Sequence, residues 1–427
     1  MKQTRRQWLA SAGAGAVAAA QARKQPNILF LLSDDHSAPY LGCYGSGTQS
    51  PTLDAMARGG MLFDRMFTVA PQCVPSRAGL MTGRSAVAAR MTRFSSALPP
   101  DELTLPEVLR EHGYYTGICG RTFHLDGSAR QGPITASLFE KLNMRTFDRR
   151  VDYLDRGSAQ EGVGRHLETF LEKKPANKPF FLWMNFSDPH HVWTTRIAGM
   201  QHDPASLRLP PHLPDLPGVR ADLARYMDEI THCDSLVAGV LEILKRRGLD
   251  DTLVVFCGDN GMAFPHGKGS LYDPGLNVPL IVRWEGVVKP GTRTSALISG
   301  EDIAPTLIEA AGGKVPARMS GKSFLPLLKG ESFTPRQYIF AERGPHGGAT
   351  YRLETKASTH DQSRCARTDR WKLIYNCTPH QEYQPVDSAR DPGWLEILAA
   401  HQAGTLKPEF ERAYFTRPRP VIELFDL

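Results

Sequence analysis

The sequence predicts an α/β sandwich: a large, mostly parallel central sheet flanked by helices, then a smaller C-terminal subdomain with an antiparallel sheet. Three observations carry this reading. Short, nearly continuous apolar runs end abruptly in polar clusters, and segments with helical apolar spacing separate them. After about residue 330 the pattern changes, with glycine and basic residues rising before two short strand-like runs.

The apolar runs come first. "NILFLL" runs into Ser33-Asp34-Asp35-His36, "YYTGIC" into Gly120-Arg121-Thr122-Phe123-His124, "FFLWMNF" into Ser187-Asp188-Pro189-His190-His191, and "DTLVVFC" into Gly258-Asp259-Asn260-Gly261. "VPLIVRW", residues 278–284, reads as a fifth run of the same kind. Such runs are the habit of strands buried on both faces, as in a parallel sheet. "DELTLPEVLREHG" predicts a helix stopped at Gly113, and "ADLARYMDEITHCDSLVAGVLEILKRRG" a longer one with a cationic last turn and a glycine stop at Gly248. "WKLIYN" and "VIELFDL" predict the C-terminal strands.

The chain has 427 residues, 41% hydrophobic and 22% charged, an ordinary composition for a globular protein with a substantial core. No stretch reaches the ~18 consecutive apolar residues of a membrane span. A formal charge of +6, from 51 basic and 45 acidic side chains without basic runs, gives no indication of nucleic-acid binding. Residues 1–22, "MKQTRRQWLASAGAGAVAAAQA", read as a twin-arginine-type signal peptide: Arg5-Arg6, a mildly apolar stretch, then a small-x-small site at Ala20-Gln21-Ala22. That places the mature protein in a bacterial periplasm or outside the cell. The remaining boundaries are 23–330 for the main domain and 331–427 for the C-terminal subdomain. Of seven cysteines, Cys119 and Cys257 read as core residues. A disulfide between Cys365 and Cys377 stays open.

In open α/β sheets, ligands bind beyond the carboxyl ends of the strands. Four predicted strands bring Asp34/Asp35, His124, His190 and Asp259/Asn260 to that edge. The carboxylates and the amide are hard oxygen donors, which suit Ca2+, or less favourably Mg2+, over zinc. Singly, Asp34 could cap a helix and Asp259-Asn260-Gly261 could form a turn. His124 and His190 suit proton transfer. His36, His191 and His266 read as structural. Lys268, in the glycine-flanked "FPHGKG", could meet an anion. In "APQCVPSRAGLMTGR", Pro71 and Pro75 oppose helix around Cys73, Ser76 can cap the segment that follows, and Arg77 offers a fork of donors to an oxyanion. Cys73 itself could be inert, nucleophilic, or the precursor of another group.

"CVPSRAGLMTGR" resembles the C-x-P-S-R-x-x-L-x-T-G-R signature of the type I sulfatases. Asp34-Asp35, "LGCYG", "SDPHH", "GDNG", "VPLIV", "RTDRWKLIYN" and "ELFDL" follow in that family's order, covering the chain from residue 26 onward. The resemblance implies an alkaline-phosphatase-like fold and a Cys73 that is converted to formylglycine by a formylglycine-generating enzyme. It implies that one hydroxyl of the hydrated aldehyde attacks sulfur and the other drives release of sulfate. It also implies Asp34, Asp35, Asp259 and Asn260 as Ca2+ ligands, completed by formylglycine at residue 73 or by bound sulfate. Arg77 would steady the diol, His124 help its collapse, His190 protonate the leaving group, and Lys268 hold sulfate oxygens.

Two departures stand out. The family's G-K-x-H segment is "GRTFH" here, leaving Arg121 as the replacement for the lysine. The chain also stops at "ELFDL", where relatives commonly continue, so truncation is left open. "LVVFCGDNGMAFPHGKGSLYDPG" is most similar to the sulfamidase (N-sulfoglucosamine sulfohydrolase) branch. The expected reaction is hydrolysis of sulfate groups, O-sulfate esters on a sulfated saccharide such as a glycosaminoglycan fragment. The alternatives are an N-sulfate, a phosphonate or phosphate ester, and a non-catalytic glycan-binding protein.

Overall fold

The computed structural model describes residues 25–427 apart from 94–96, 122–123, 125–132, 158–161, 195–196, 198 and 347–359. The proposed signal peptide, residues 1–22, lies outside the described residues.

In chain order the strands of the first half are β1 (Ile28–Ser33), β2 (Met61–Phe63), β3 (Met66–Phe67), β4 (Tyr115–Cys119), β5 (Tyr153–Asp155) and β6 (Phe180–Asn185). They are followed by β7 (Leu253–Gly258), β8 (Leu280–Arg283), β9 (Thr292–Thr294), β10 (Ile298–Ser299), β11 (Ile339–Arg343), β12 (Ser363–Arg367), β13 (Trp371–Asn376) and β14 (Ile422–Asp426).

Alternation explains why the central runs are apolar throughout. Along β1, Ile28, Phe30 and Leu32 enter one core layer, while Leu29 and Leu31 enter the other. β6 and β7 divide the same way: Phe181, Trp183, Val255 and Cys257 face one side, and Phe180, Leu182, Val254 and Phe256 the other. Helices Cys73–Thr82, Leu105–Glu111 and Ile303–Ala310 cover the first face, and Pro51–Arg58, Val163–Lys173 and Pro217–Arg246 the second. With both faces covered, polar side chains are scarce along these strands and gather at and beyond their ends.

The eight-stranded sheet runs β5-β4-β6-β1-β7-β8-β2-β9. β5, β4, β6, β1 and β7 are mutually parallel. β8 departs from the expectation that 278–284 continues the parallel pattern, because it pairs antiparallel with both β7 and β2. Burial on both faces makes a run apolar whichever way it points, so the run carried no signal of direction. β11-β12-β13-β14 form a separate antiparallel sheet. Its inner residues Ile339, Ala341, Cys365 and Ile374 pack with Phe67, Leu271, Leu276 and Leu297 of the main body.

Local signals set the helix ends. Thr104 and Glu107 form a capping box before Leu105–Glu111, and Gly113, at φ +92°, turns the chain out. The long helix starts at Pro217, four residues ahead of the predicted Ala221, because Pro217 occupies the first turn, where its missing N–H costs nothing. Gly248, at φ +65°, ends it as predicted. Cys365 and Cys377 are free, as are the other five cysteines. The β12–β13 register pairs Cys365 with Ile374 rather than with Cys377, which rules out a bridge between them.

Candidate active site

Sheet register sets the first contact. Ser33 of β1 lies beside Gly258 of β7, so the residues that follow, Asp34 and Asp259, leave the sheet side by side. Asp35 adopts a left-handed φ of +61°, a region that aspartate tolerates better than most residues. Its N–H donates to Asp259 Oδ1 at 3.0 Å, and the Asn260 side-chain amide donates to Asp35 Oδ1 at 2.8 Å.

Cys73 is fully buried at the first position of the helix Cys73–Thr82. Sequence reasoning placed the helix start after Pro75 with Ser76 as its cap; instead the helix includes both. Pro75 is accommodated because first-turn N–H groups have no helical acceptor. Ser76 is therefore an interior residue, and its hydroxyl donates to the Asp259 carbonyl. The Cys73 Sγ sits 3.2 Å from Asp34 Oδ1 and 3.8 Å from Asp35 Oδ1.

One turn further along, Arg77 closes the floor. Its Nε donates to Asp259 Oδ2 at 2.8 Å, one terminal nitrogen to Asp34 Oδ2 at 3.0 Å, and the other to Asn185 Oδ1 at 2.6 Å. Asn185, absent from the sequence-predicted set, is the last residue of β6, and its amide donates to the carbonyls of Cys119 and Gly120. A lone amide inside "FFLWMNF" was the available signal. Asn185 thereby ties the exits of β4 and β6 to Arg77.

Arg121, at φ +38°, reaches back to Asp34 Oδ2 at 2.8 Å and donates from Nε to Ser187 Oγ. His124 places Nδ1 3.8 Å from the same Asp34 oxygen. His190 donates from Nδ1 to the His191 carbonyl, which aims Nε2 into the site. That Nε2 lies 3.3 Å from Lys268 Nζ and 3.7 Å from Asp35 Oδ2. Lys268, far from being a solvated loop lysine, is buried against Asp35 at 2.8 Å and Asp387 at 2.7 Å. Asp387 is the second residue that sequence reasoning missed, since nothing in "QPVDS" sets it apart.

All ten predicted positions thus meet in one cluster. His36 hydrogen-bonds to Ser33, His191 to Asp391, and His266 stacks on Tyr272 with ring centroids 4.3 Å apart, so each has a structural partner.

Burial dominates the electrostatics. It would raise the Asp34 carboxyl, but Arg121 and Arg77 overcome it and hold that group well below the usual carboxylate range. Burial wins at Asp35, pushed up to about 6, and at Asp259, pushed up to about 7 with Asp34 adding to the rise. Burial, then Lys268, pushes His190 down to about 3. The Cys73 thiol is raised by burial and then by Asp34, so it has no thiolate character. Two buried carboxyls that resist ionisation mark a site short of positive charge. Asp34, Asp35, Cys73 and His190 present ligand atoms within 4.8 Å of one another, and the buried Asn260 Oδ1 has no hydrogen-bond partner. Oxygen-rich, anionic and incompletely satisfied, this donor set fits a hard divalent cation such as Ca2+.

The sulfatase family profile matches residues 26–313. The chain belongs to the sulfatase family, the hydrolases of sulfuric esters. A second profile, the C-terminal region of N-sulphoglucosamine sulphohydrolase, matches residues 264–406 of this sulfatase, in keeping with the sulfamidase-like branch that the sequence resembles. An ulvan-active sulfatase of Formosa agariphila is 30% identical over 94% of this chain and 70% of its own length. Human N-sulphoglucosamine sulphohydrolase is 30% identical over 71% of this chain and 66% of its own. Among solved structures, one in complex with its substrate D-glucosamine-2-N,6-O-disulfate superposes with a TM-score of 0.65 at 22% identity, covering 91% of this chain and 97% of the other. A phosphonate monoester hydrolase from Silicibacter pomeroyi superposes with a TM-score of 0.68 at 22% identity, covering 94% and 99%. These last two show that the fold is shared.

Proposed function

We propose that this sulfatase removes sulfate from a sulfated saccharide at the cluster around residue 73, with Cys73 matured to formylglycine by a formylglycine-generating enzyme and with Ca2+ bound by Asp34, Asp35, Asp259, Asn260 and residue 73. The observation that carries the reading is the position of Cys73: a thiol without thiolate character, fully buried at a helix N-terminus between two aspartates, and in the same cluster as a buried lysine. An unmodified thiol there is a poor nucleophile. When present, formylglycine would supply a hydrated aldehyde as the oxygen nucleophile, and Ca2+ would supply charge to the sulfate oxygens.

The chain's own groups divide the remaining work. Arg77 orients the floor through Asp34 and Asp259. Lys268 presents its ammonium to the sulfate, and Arg121 joins Arg77 in neutralising Asp34 through the same carboxylate oxygen. His190 Nε2 faces the leaving group. It is neutral in the resting site, and an anionic ester seated against Lys268 adds the negative charge that favours its protonated form. His124, whose Nδ1 lies 3.8 Å from Asp34 Oδ2, would take a proton from the group at residue 73. The N-terminal segment with Arg5-Arg6 supports export to the periplasm or beyond, and no helix among the described residues is long and apolar enough to cross a membrane.

An N-sulfate is the second reading, favoured by the C-terminal profile match. A panel of O- and N-sulfated sugars, with sulfate release as the readout, separates the two. Cys73→Ser tests the nucleophile. It should fold like the parent, lose turnover and accumulate a sulfated serine detectable by peptide mass spectrometry, because a serine hydroxyl has no second hydroxyl to expel the sulfate. Full turnover by protein whose Cys73 is unmodified would overturn the proposal.

A further inference from the structure

The site runs from a sealed floor to a solvent-facing mouth. The side chains of Asp34, Asp35 and Asp259 are 0% exposed and that of Lys268 1%, whereas His190 keeps 22% and Asp387 29% in solvent. Asp387 comes from the C-terminal third of the chain and holds a left-handed φ of +68°. Its Oδ2 lies 2.7 Å from Lys268 Nζ and 3.9 Å from His190 Nε2, and its Oδ1 lies 3.7 Å from His346 Nε2.

With sulfur near residue 73 and sulfate oxygens against Lys268, a substrate must leave past His190 toward solvent. The first atoms beyond its leaving oxygen or nitrogen then come to Asp387. A carboxylate offers about four lone-pair directions, and Lys268 and His346 do not exhaust them. We propose that Asp387 is a substrate-recognition residue that accepts a hydrogen bond from a hydroxyl or amine neighbouring the scissile sulfate, while its ion pair with Lys268 fixes the sulfate-binding ammonium. This rests on the sulfatase reading and narrows it. The preferred saccharide carries a hydrogen-bond donor, not a second anion, beside the sulfate that is removed.

Asp387→Asn is the test, because asparagine tolerates the left-handed backbone as aspartate does and keeps the volume. The probes are N-sulfoglucosamine and 4-nitrophenyl sulfate, which has no neighbouring donor. The variant should lose about 10- to 100-fold in kcat/KM on the sugar, the cost of a hydrogen bond to a charged group, carried mainly in KM. The aryl sulfate should lose only the part that passes through Lys268, so the sugar-to-aryl ratio of kcat/KM should fall by about 10-fold, a change that a merely structural effect through Lys268 would not produce. Equal losses on both probes, or no loss on either, overturn the assignment. Binding measured by calorimetry in a Cys73→Ala background separates this question from turnover. If the parent enzyme hydrolyses neither probe, the N-sulfate reading fails, while a sugar-selective loss of binding in Cys73→Ala/Asp387→Asn still supports Asp387. Undetectable or unselective binding overturns it.

Discussion

At the floor of the site, Asp34, Asp259 and Arg77 are sealed at 0% exposure in a mesh of ion pairs, whereas at the mouth His190 and Asp387 keep 22% and 29% of their side chains in solvent. The floor residues leave the ends of β1 and β7 and the first turns of a buried helix, so sheet register sets their positions to within a hydrogen bond. The mouth residues come from loops that share no strand pairing. Charge at the floor is therefore structural as well as chemical, and charge at the mouth is mainly chemical. Substitutions at the floor should cost stability and activity together, and substitutions at the mouth should cost activity in a substrate-dependent way.

The sharpest break is Arg77→Met. It leaves Asp34 and Asp259 buried without their shared partner, a change that typically costs about 3–5 kcal/mol. Urea unfolding should show that loss together with loss of turnover; an unchanged midpoint would mean that the floor is not held by its ion pairs.

At the mouth, His190→Ala should leave the unfolding midpoint almost unmoved. It should slow sugar sulfates by about 10²- to 10⁴-fold, the usual worth of general acid catalysis. Aryl sulfates, whose leaving groups depart without a proton, should lose much less. Equal losses on both substrate kinds would remove His190 from the proton-donating role.

Chelation probes the floor without mutation. A cation at a hundred times its dissociation constant stabilises by about 2.7 kcal/mol. Its removal should lower melting temperature and activity together, and a chelator that moves neither would refute the cation assignment.

The smallest effect lies outside the cluster's floor. His232 has its pKa raised by its hydrogen bond to Asp188. A histidine raised in the folded state adds stability that is fully present below its unfolded pKa of about 6.5 and is lost as pH rises through the folded value. Between pH 6 and 8 the parent should lose about 1 kcal/mol or less relative to His232→Gln, measured by unfolding at each pH. Parallel pH profiles for the two proteins would dismiss the contribution.

How much of this was legible follows from the same contrast. The four strand ends could be read because burial on both faces keeps polar residues scarce within the strands, so each polar cluster marked an exit. The antiparallel direction of β8 could not, since burial is blind to direction. Pro75 suggested a later helix start, but its position in the first turn removed the conflict. Asp387 escaped notice because its part depends wholly on tertiary placement, more than a hundred residues beyond Lys268. Asn185 was within reach as an amide closing a strand that is otherwise apolar.

The separation of Arg77 and Asp259 along the chain, 182 residues, also sets a clock. Residue 73 is enclosed only once the segment after β7 has docked against its helix. A ribosome working at about 5–20 residues per second takes about 10–40 s to travel that far. Any agent that must reach the Cys73 thiol, a maturing enzyme included, has roughly that interval while the chain is still being made. Slower synthesis between residues 77 and 259 should raise the fraction of protein that leaves the ribosome converted.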